Sequence, residues 1–361
     1  MSMSHRERVR IALSHQEPDM VPIQADFTPE IAERLSKHLN LKETGSEAYA
    51  HGISQLPLVL NHDLLNSWHG IATSYYSGPE PTYTCEWGIT WRWVDYLDGK
   101  YTEMAKHPLE DDAAFATYKV PDATDDSRYD STRAMVKEFG DTYWTVGAIP
   151  CTILEACWYL RGLEKFMMDL AVNKDFAHAL CDKVLEFYRP VGLKLIECGV
   201  DMLWLGDDIG CQRGMAMSPD TWREFFKPRM KSLIDEFKSA NPKLKIAYHT
   251  DGDVTEVVPE LIEVGIDVWN AVQPLCVDLQ MLKREYGDQL SFWGTVDIQE
   301  TLPHGTPEEV EEEVRERIRV MAPGGGFILA PTHNIQIDTS IVNIMAFYRA
   351  AEKYRDYPIS C

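Results

Sequence analysis

The second half of the chain alternates short apolar runs with longer amphipathic stretches. Each run spans four to six residues and is followed within a few positions by polar side chains, a pattern typical of buried β-strands. The runs occupy 200–205, 244–248, 266–269, 290–293 and 327–330.

Helix start signals separate these runs. Ser218 before Pro219 is an N-cap followed by proline at the first helical position, and Pro228 predicts a kink further along. Thr306-Pro307 opens another helix, whose acidic first turn and later arginines suit the helix dipole. Apolar strands alternating with helices indicate a parallel sheet covered on both faces.

The predicted fold class is α/β, a (β/α)8 TIM barrel formed by one domain over 1–361. Residues 21–26 and 143–148 add two candidate strands, and 68–130 is predicted to be an aromatic-rich insertion or lid. A doubly wound open sheet is the alternative. That fold favours a G-x-G-x-x-G phosphate turn after an early strand, which the sequence lacks, and Gly324-Gly325-Gly326 is interpreted as a turn.

Net charge narrows the class of partners. The chain of 361 residues holds 35 Lys and Arg against 57 Asp and Glu, a net charge of −22. Such a surplus repels nucleic-acid phosphates and anionic lipid, so we expect neither nucleic acid nor a membrane as a partner. Since the first residues contain no apolar signal segment and no run is long enough to span a bilayer, we expect a cytoplasmic protein.

The eight cysteines are scattered without a C-x-x-C pair. This spacing argues against a zinc ribbon, an iron–sulfur cluster and a thioredoxin-type redox site. In a protein without an export signal we expect reduced and mostly buried thiols.

Polar residues at the predicted strand ends supply candidate metal ligands. In a TIM barrel the carboxyl ends of the strands surround the active site. His249, Asp251 and His333 lie at two such ends, and Cys211 follows a third. These residues could hold zinc with one coordination position open. In the alternative reading the histidines only form hydrogen bonds in a pocket and the cysteine is a small buried side chain.

Other strand ends supply acids and polar groups. Asp207, Asp208 and Glu155 are candidate catalytic acids, although each could instead cap a helix or form an ion pair. Asn270 and Asp297 follow two further strands and are predicted to bind substrate.

The aromatic-rich insertion offers a surface for a flat ligand. Trp87 and Trp91 lie in a segment dense in Trp and Tyr, and we predict that they bind substrate by stacking. Packing within the core is the alternative.

Several motifs occur in a fixed order along nearly the whole chain. They are Arg6-Glu7-Arg8-Val9, Glu17-Pro18-Asp19-Met20-Val21-Pro22, Gly206-Asp207-Asp208-Ile209-Gly210, Ser218-Pro219 with Trp222-Arg223-Glu224, His249-Thr250-Asp251-Gly252, and Ala330-Pro331-Thr332-His333-Asn334-Ile335. Together they resemble the uroporphyrinogen decarboxylase superfamily. The resemblance implies a (β/α)8 barrel and one of two chemistries, decarboxylation of a tetrapyrrole or methyl transfer with a corrinoid protein.

The decarboxylase branch matches poorly near the N-terminus. Its members carry an Arg-Gln-Ala-Gly-Arg stretch whose arginines hold the substrate carboxylates, whereas residues 23–30 contain no arginine. A polyanionic substrate would therefore have to rely on basic groups elsewhere in a chain of net negative charge.

In the methyltransferase branch, the resemblance implies a zinc site. Its members hold zinc with a His-x-Cys pair and a later Cys in a Gly-Cys-Gly-Ile turn. His249-Thr250-Asp251 matches the first with Asp for Cys, and His333 falls at the second with His for Cys. Nitrogen and oxygen ligands make a harder metal site, suited to an ether or alcohol oxygen more than to a thiol.

The function expected from the sequence is therefore that of a zinc-dependent methyltransferase. It would take a methyl group from a small O-methylated compound, such as a methoxylated aromatic, and pass it to the Co(I) corrinoid of a separate protein, the demethylating step of anaerobic O-demethylation. Two alternatives stay open: a uroporphyrinogen-type decarboxylase and a non-enzymatic binder of aromatic small molecules. Assembly into a homo-oligomer also stays open.

Overall fold

The computed structural model describes residues 3–41, 55–97 and 99–360, and a parallel sheet lies at its centre. In chain order the strands are β1 (Leu64–Trp68), β2 (Thr82–Thr84), β3 (Thr90–Tyr96), β4 (Gly99–Lys106), β5 (Trp144–Pro150), β6 (Met202–Gly206), β7 (Gly210–Cys211), β8 (Gly214–Met215), β9 (Lys245–His249), β10 (Val268–Val272), β11 (Ser291–Val296) and β12 (Phe327–Pro331). The parallel sheet has the order β1-β5-β6-β9-β10-β11-β12.

The segment around Ile23 joins the first and last strands of this sheet. Ile23 forms a parallel bridge with Leu329 of β12, and its carbonyl accepts a hydrogen bond from the Asp63 N–H, 2.9 Å away, beside β1. Pro22 has no N–H to add to a ladder, so the pairing is limited to single bridges. The predicted strand 21–26 thus takes the eighth position, and the prediction of a TIM barrel is confirmed.

Helices connect the strands and cover the sheet. They are α1 (His5–Ala12), α2 (Pro29–His38), α3 (Gln55–Val59), α4 (Asp112–Phe115), α5 (Asp130–Phe139), α6 (Leu154–Arg161), α7 (Leu163–Val172), α8 (Lys174–Cys198), α9 (Pro219–Phe225), α10 (Lys227–Ala240), α11 (Val258–Val264), α12 (Leu279–Tyr286), α13 (Thr301–His304), α14 (Pro307–Met321) and α15 (Ile341–Tyr354). Short 3₁₀ turns span Ile71–Ser74, Asp126–Tyr129 and Thr255–Val257.

The predicted helix starts are present. The Ser218 side chain accepts from the N–H of Thr221 at the start of α9, and Thr306 and Glu309 form a capping box at α14. At Pro228 the chain breaks into two helices, α9 and α10, because proline suits the first turn of a helix and disrupts an interior.

The excursion between β1 and β5 contains its own small sheet. Strands β2, β3 and β4 pair antiparallel, with β3 in the middle. They lie within the predicted segment 68–130, of which Asp98 falls outside the described residues.

The barrel strands are buried on both faces, as their apolar sequences require. Inside the barrel, side chains such as Val146, Met202, Ala247 and Ile328 form one cluster, while a larger cluster fills the space between the sheet and the helices. This double burial fixes the strand ends, and with them the polar residues that follow.

Two further expectations concern membranes and cysteines. No helix in the described part of the chain has the length and apolarity needed to cross a bilayer. The seven described cysteines form no disulfide, and Cys361 lies outside the described residues.

Candidate active site

A cavity of about 1310 Å³ lies at the carboxyl ends of the barrel strands. Four side chains of its wall come from strand ends: Asp208 after β6, His249 at the end of β9, Asn270 in β10 and His333 after β12. The four residues therefore line one cavity, as expected for side chains near the carboxyl ends of barrel strands.

Three side chains form a candidate metal site, and two of them, His249 and His333, line this wall. His249, Asp251 and His333 each offer a ligand atom, and these atoms lie within 4.8 Å of one another. The two imidazole rings meet edge to face with centroids 5.7 Å apart. Two nitrogens and one carboxylate oxygen form a donor set that zinc accepts, and a fourth position would stay open for substrate.

Asn270 orients His249 toward this site. Its Oδ1 lies 2.7 Å from Nδ1 of His249, and its Nδ2 donates to the carbonyl of Trp293 at 3.2 Å. Because the bond to Trp293 fixes Nδ2 as the donor of the Asn270 amide, Oδ1 is the acceptor that faces His249. The imidazole therefore donates through Nδ1 and leaves the lone pair of Nε2 free. Most metal-bound histidines donate a hydrogen bond in this way from the ring nitrogen that does not bind the metal.

Two polar atoms of the candidate site lack partners among the described residues. Oδ1 of Asp251 and Nδ1 of His333 are buried and accept or donate no hydrogen bond there. Burial also lowers the pKa of His333, although Asp251 opposes the shift, so the imidazole is neutral near pH 7. A cation between these residues would satisfy both atoms, and the residues therefore fit zinc.

Cys211 lies outside this group. It belongs to the β7–β8 hairpin, is exposed, and directs its thiol to the carbonyl of Gly214 at 3.2 Å. The sequence-based prediction that Cys211 is a metal ligand is therefore corrected. The candidate ligand set consists of His249, Asp251 and His333.

Asp207 and Asp208 separate into two roles. The buried carboxylate of Asp207 accepts the backbone N–H groups of Ile153 and Glu155, each at 2.9 Å, and so caps the start of α6. Burial raises its pKa to about 7, against the effect of these bonds. Asp208 instead reaches the cavity, where its Oδ1 lies 3.7 Å from Nε2 of His249. Of the two, Asp208 is the one placed to meet a substrate.

Asp297 likewise caps a helix. Its carboxylate accepts the N–H groups of Gln299, Glu300 and Thr301 at 2.8–3.0 Å where α13 begins. The residue is 3% exposed and does not line the cavity, so the prediction that it binds substrate is corrected.

Glu155 lines the cavity beside two tyrosines. Burial raises the pKa of Glu155 well above its ordinary value, and the carboxylates of Asp208 and Asp207 add to the effect. The hydroxyl of Tyr159 lies 3.5 Å from Oε1 of Glu155 and bonds the hydroxyl of Tyr75. Neither tyrosine was among the site residues predicted from the sequence.

The two predicted stacking residues differ in position. Trp91 lines the cavity and meets Tyr75 edge to face, with ring centroids 5.1 Å apart. Trp87 does not line it and packs in the core against Phe187 at 4.6 Å. Trp87 is therefore reassigned to packing.

Charge on the cavity wall is mainly negative. The described wall contains the cations Lys100 and Arg128, and Arg128 is already paired with Glu86. The carboxyl groups of the wall are Asp26, Glu30, Glu103, Asp130, Glu155 and Asp208. This wall disfavours a substrate with many carboxylates.

Asp26 also lines the cavity, although it was not among the site residues predicted from the sequence. Burial raises its pKa to about 6, while hydrogen bonds from Gln24 and Asn66 oppose the shift. It ends the predicted strand 21–26, so the strand-end rule contained the signal needed to find it.

Curated relatives include both methyltransferases and decarboxylases. The methylated-thiol–coenzyme M methyltransferase of Methanosarcina mazei is 25% identical over 54% of this chain and 49% of its own length. The methylcobamide:CoM methyltransferase of Methanosarcina barkeri is 26% identical over 55% and 51%, respectively. A uroporphyrinogen decarboxylase of Chlorobaculum tepidum is 26% identical over 38% of this chain and 36% of its own length. The chain thus spans about half or less of these relatives.

Solved structures and family models add the fold and the family. A methyltransferase from Methanosarcina mazei superposes with a TM-score of 0.73 over 98% of this chain and 99% of its own, at 17% identity, which establishes a shared fold. The family model for uroporphyrinogen decarboxylase (URO-D) matches residues 92–354, which is most of the chain. The chain therefore belongs to the uroporphyrinogen decarboxylase family.

Proposed function

We propose that the protein is a zinc-dependent methyltransferase that demethylates a small O-methylated compound. Its donor would be a methoxylated aromatic, and its acceptor the Co(I) corrinoid of a separate protein. The observation that carries this proposal is the grouping of His249, Asp251 and His333 at one cavity, where His249 and His333 line the wall and two buried polar atoms of the group lack partners among the described residues.

The metal site matches the chemistry of an ether better than that of a thiol. His249, Asp251 and His333 would hold the ion, and zinc, when bound, supplies Lewis acidity toward the oxygen that leaves. In the reaction the C–O bond breaks, the electron pair of Co(I) forms the new Co–C bond, and the leaving group departs as a phenolate or phenol. The chain itself contributes orientation of the donor and a proton.

An aromatic donor suits the aromatic part of the cavity wall. Trp91, Trp93, Tyr75 and Tyr76 all line the cavity, and Trp93 and Tyr76 pack with centroids 5.5 Å apart. Rings of this kind bind a flat substrate by edge and face contacts.

A corrinoid acceptor is supported by cavity size and by the relatives. The cavity of about 1310 Å³ exceeds the roughly 300–1,000 Å³ of ordinary small-molecule pockets. It therefore leaves room for a second reactant beside a small arene. One relative, the methylcobamide:CoM methyltransferase of Methanosarcina barkeri, is named for a corrinoid reactant, and we extend this class of reactant to the acceptor of the present chain.

Decarboxylation of a polycarboxylate tetrapyrrole is less compatible with this wall. The carboxyl groups outnumber the cations, and Gln24 and Asp26 occupy wall positions in the arginine-free stretch 23–30. Binding such a substrate would place like charges together at a cost that the described cations do not offset.

The proposal is tested with free cob(I)alamin as acceptor. Protein loaded with zinc is mixed anaerobically with 2-methoxyphenol, and the absorbance of methylcobalamin is followed. We expect turnover that chelation abolishes and zinc restores, with Cys211→Ser as an active control. Release of CO₂ from uroporphyrinogen by metal-free protein, without methyl transfer, would instead identify a decarboxylase. Binding of methoxyarenes without either reaction would identify a binding protein.

A further inference from the structure

A group of four side chains lines the cavity beside the candidate metal site. The Tyr75 hydroxyl bonds the Tyr159 hydroxyl and lies 3.3 Å from Sγ of Cys151, and Tyr159 lies 3.5 Å from Oε1 of Glu155. They come from three places in the chain, the 3₁₀ turn Ile71–Ser74 with the residue after it, the end of β5, and α6. The fold thus brings two hydroxyls, a thiol and a carboxyl group together on the cavity wall.

This group connects the aromatic wall with the metal site. Trp91 contacts both tyrosines, with ring centroids 5.1 Å from Tyr75 and 6.2 Å from Tyr159. At the other end, Glu155 is close enough to Asp208 for that carboxylate to raise the pKa of Glu155, and Oδ1 of Asp208 lies 3.7 Å from Nε2 of His249. An arene against Trp91 with its ether oxygen toward the metal site would therefore lie along this group.

We propose, on the basis of the demethylation proposed above, that Glu155 and Tyr159 deliver a proton to the oxygen that leaves as the methyl group is transferred. Tyr159 donates its hydroxyl proton to the leaving oxygen and takes one from Glu155. Tyr75 and Cys151 act as positioning residues that hold the Tyr159 hydroxyl. The balance is an aryl methyl ether, Co(I) and a carboxylic acid giving a phenol, methyl-Co(III) and a carboxylate, which solvent then reprotonates.

Protonation states support this assignment. Burial and the carboxylates of Asp208 and Asp207 raise the pKa of Glu155, so it holds a proton at a pH where an ordinary glutamate does not. Burial also raises the pKa of Tyr159, which keeps its hydroxyl proton. The titratable groups that face Glu155 are Tyr75, Cys151, Tyr159, Tyr188, Asp207, Asp208 and Tyr248.

The experiment compares two leaving groups in conservative variants. Zinc-loaded wild type, Glu155→Gln and Tyr159→Phe are assayed with cob(I)alamin and either methoxybenzene or 4-methoxybenzonitrile, whose phenolate is more stable. The control is Tyr348→Phe, a buried tyrosine outside the cavity wall that bonds His62 at 2.7 Å. Far-UV circular dichroism checks that each variant is folded, and Tyr75→Phe replaces Tyr159→Phe if that variant does not fold.

We expect both variants to lose about 10²–10⁴-fold in rate with methoxybenzene and much less with 4-methoxybenzonitrile, because general acid catalysis matters most for a poor leaving group. Equal losses with both ethers would overturn the proton-delivery role while leaving demethylation intact. Absence of turnover of both ethers by wild type would instead overturn the proposed function, and this proposal with it.

A second readout uses metal-free protein and no turnover. Bound 4-nitrophenol, whose colour distinguishes phenol from phenolate, mimics the product. Loss of a donor to the phenolate in Tyr159→Phe should raise the pH at which the bound ligand ionises by about one unit. An unchanged ionisation pH would contradict the proposal.

Discussion

Replacing Asn270 by alanine tests whether this residue orients the His249 imidazole for metal binding or only stabilises the fold. Asn270 is 5% exposed, accepts from Nδ1 of His249 at 2.7 Å and donates to the Trp293 carbonyl at 3.2 Å. In Asn270→Ala the imidazole loses the bond that fixes its tautomer and ring orientation. The three candidate ligands themselves are unchanged.

The expected magnitude follows from these two hydrogen bonds. Loss of an outer-shell partner of a metal-bound histidine weakens metal affinity by about 10–100-fold. This corresponds to about 1.4–2.8 kcal/mol of binding free energy. The variant also leaves one donor and one acceptor unpaired, each costing about 1–3 kcal/mol of folding stability if no water replaces the amide.

Zinc affinity is measured by competition with a chromogenic chelator, and stability by denaturant unfolding of metal-free protein. Asn343→Ala is the matched control, because Asn343 is 4% exposed and its Nδ2 donates to the carbonyls of Leu302 and Gly305 at 2.9 and 2.8 Å, away from the cavity wall. We expect both variants to lose stability and only Asn270→Ala to lose zinc affinity. Wild-type affinity in Asn270→Ala, or an equal loss in both, would refute the reasoning.

Three further predictions concern the metal, the pH dependence of stability and the aromatic wall. His333→Ala should lose most of its bound zinc by elemental analysis while Cys211→Ser keeps it, and the reverse result would restore the cysteine as a ligand. Burial raises the pKa of Asp26 to about 6, so the contribution of Asp26 to wild-type stability falls as pH rises from about 4 to about 6. Asp26→Asn lacks this loss and should gain up to about 3 kcal/mol over wild type at pH 7 in urea unfolding, and a parallel pH dependence would contradict the account. Trp91→Ala and Trp87→Ala should each lose about 3–5 kcal/mol of stability, but only Trp91→Ala should weaken phenol binding in calorimetry, and equal affinities would assign Trp91 to packing as well.

Sequence predicted the barrel because burial on both faces leaves an unmistakable apolar pattern. The barrel strands β6, β9, β10, β11 and β12 lie within three residues of their predicted bounds, whereas the short hairpin of β7 and β8 was not predicted. Strand β1 was not predicted, since Asn66 and Ser67 interrupt its apolar run. Asn66 forms a hydrogen bond with Asp26, and Ser67 forms one with Thr132. Because these partners are distant in the sequence, the local pattern of apolar and polar residues does not reveal the strand.

The part of the candidate site that lies near the carboxyl ends of the barrel strands was predictable from the sequence. His249, His333, Asn270 and Asp208 follow from that rule. Asp207 directly precedes Asp208 and also follows β6, yet its side chain accepts hydrogen bonds from the backbone N–H groups at the start of α6. The sequence pattern does not distinguish these two positions.

The tyrosines of the cavity wall had no comparable signal. Tyr75 follows a 3₁₀ turn and Tyr159 lies within α6, and only the packing of the excursion against the barrel brings their hydroxyls together. Contacts of this kind depend on the whole fold rather than on local spacing.

The central claim is that the enzyme moves an intact methyl group from an ether oxygen to cobalt with the help of zinc. The most direct test uses 2-methoxyphenol with a trideuterated methyl group and cob(I)alamin in a single turnover, with mass spectrometry of the cobalamin. The account predicts trideuteromethylcobalamin and one equivalent of catechol from zinc-loaded protein, and neither product from chelated protein or from His249→Ala. Cobalamin without label, or equal yields with and without zinc, would contradict it.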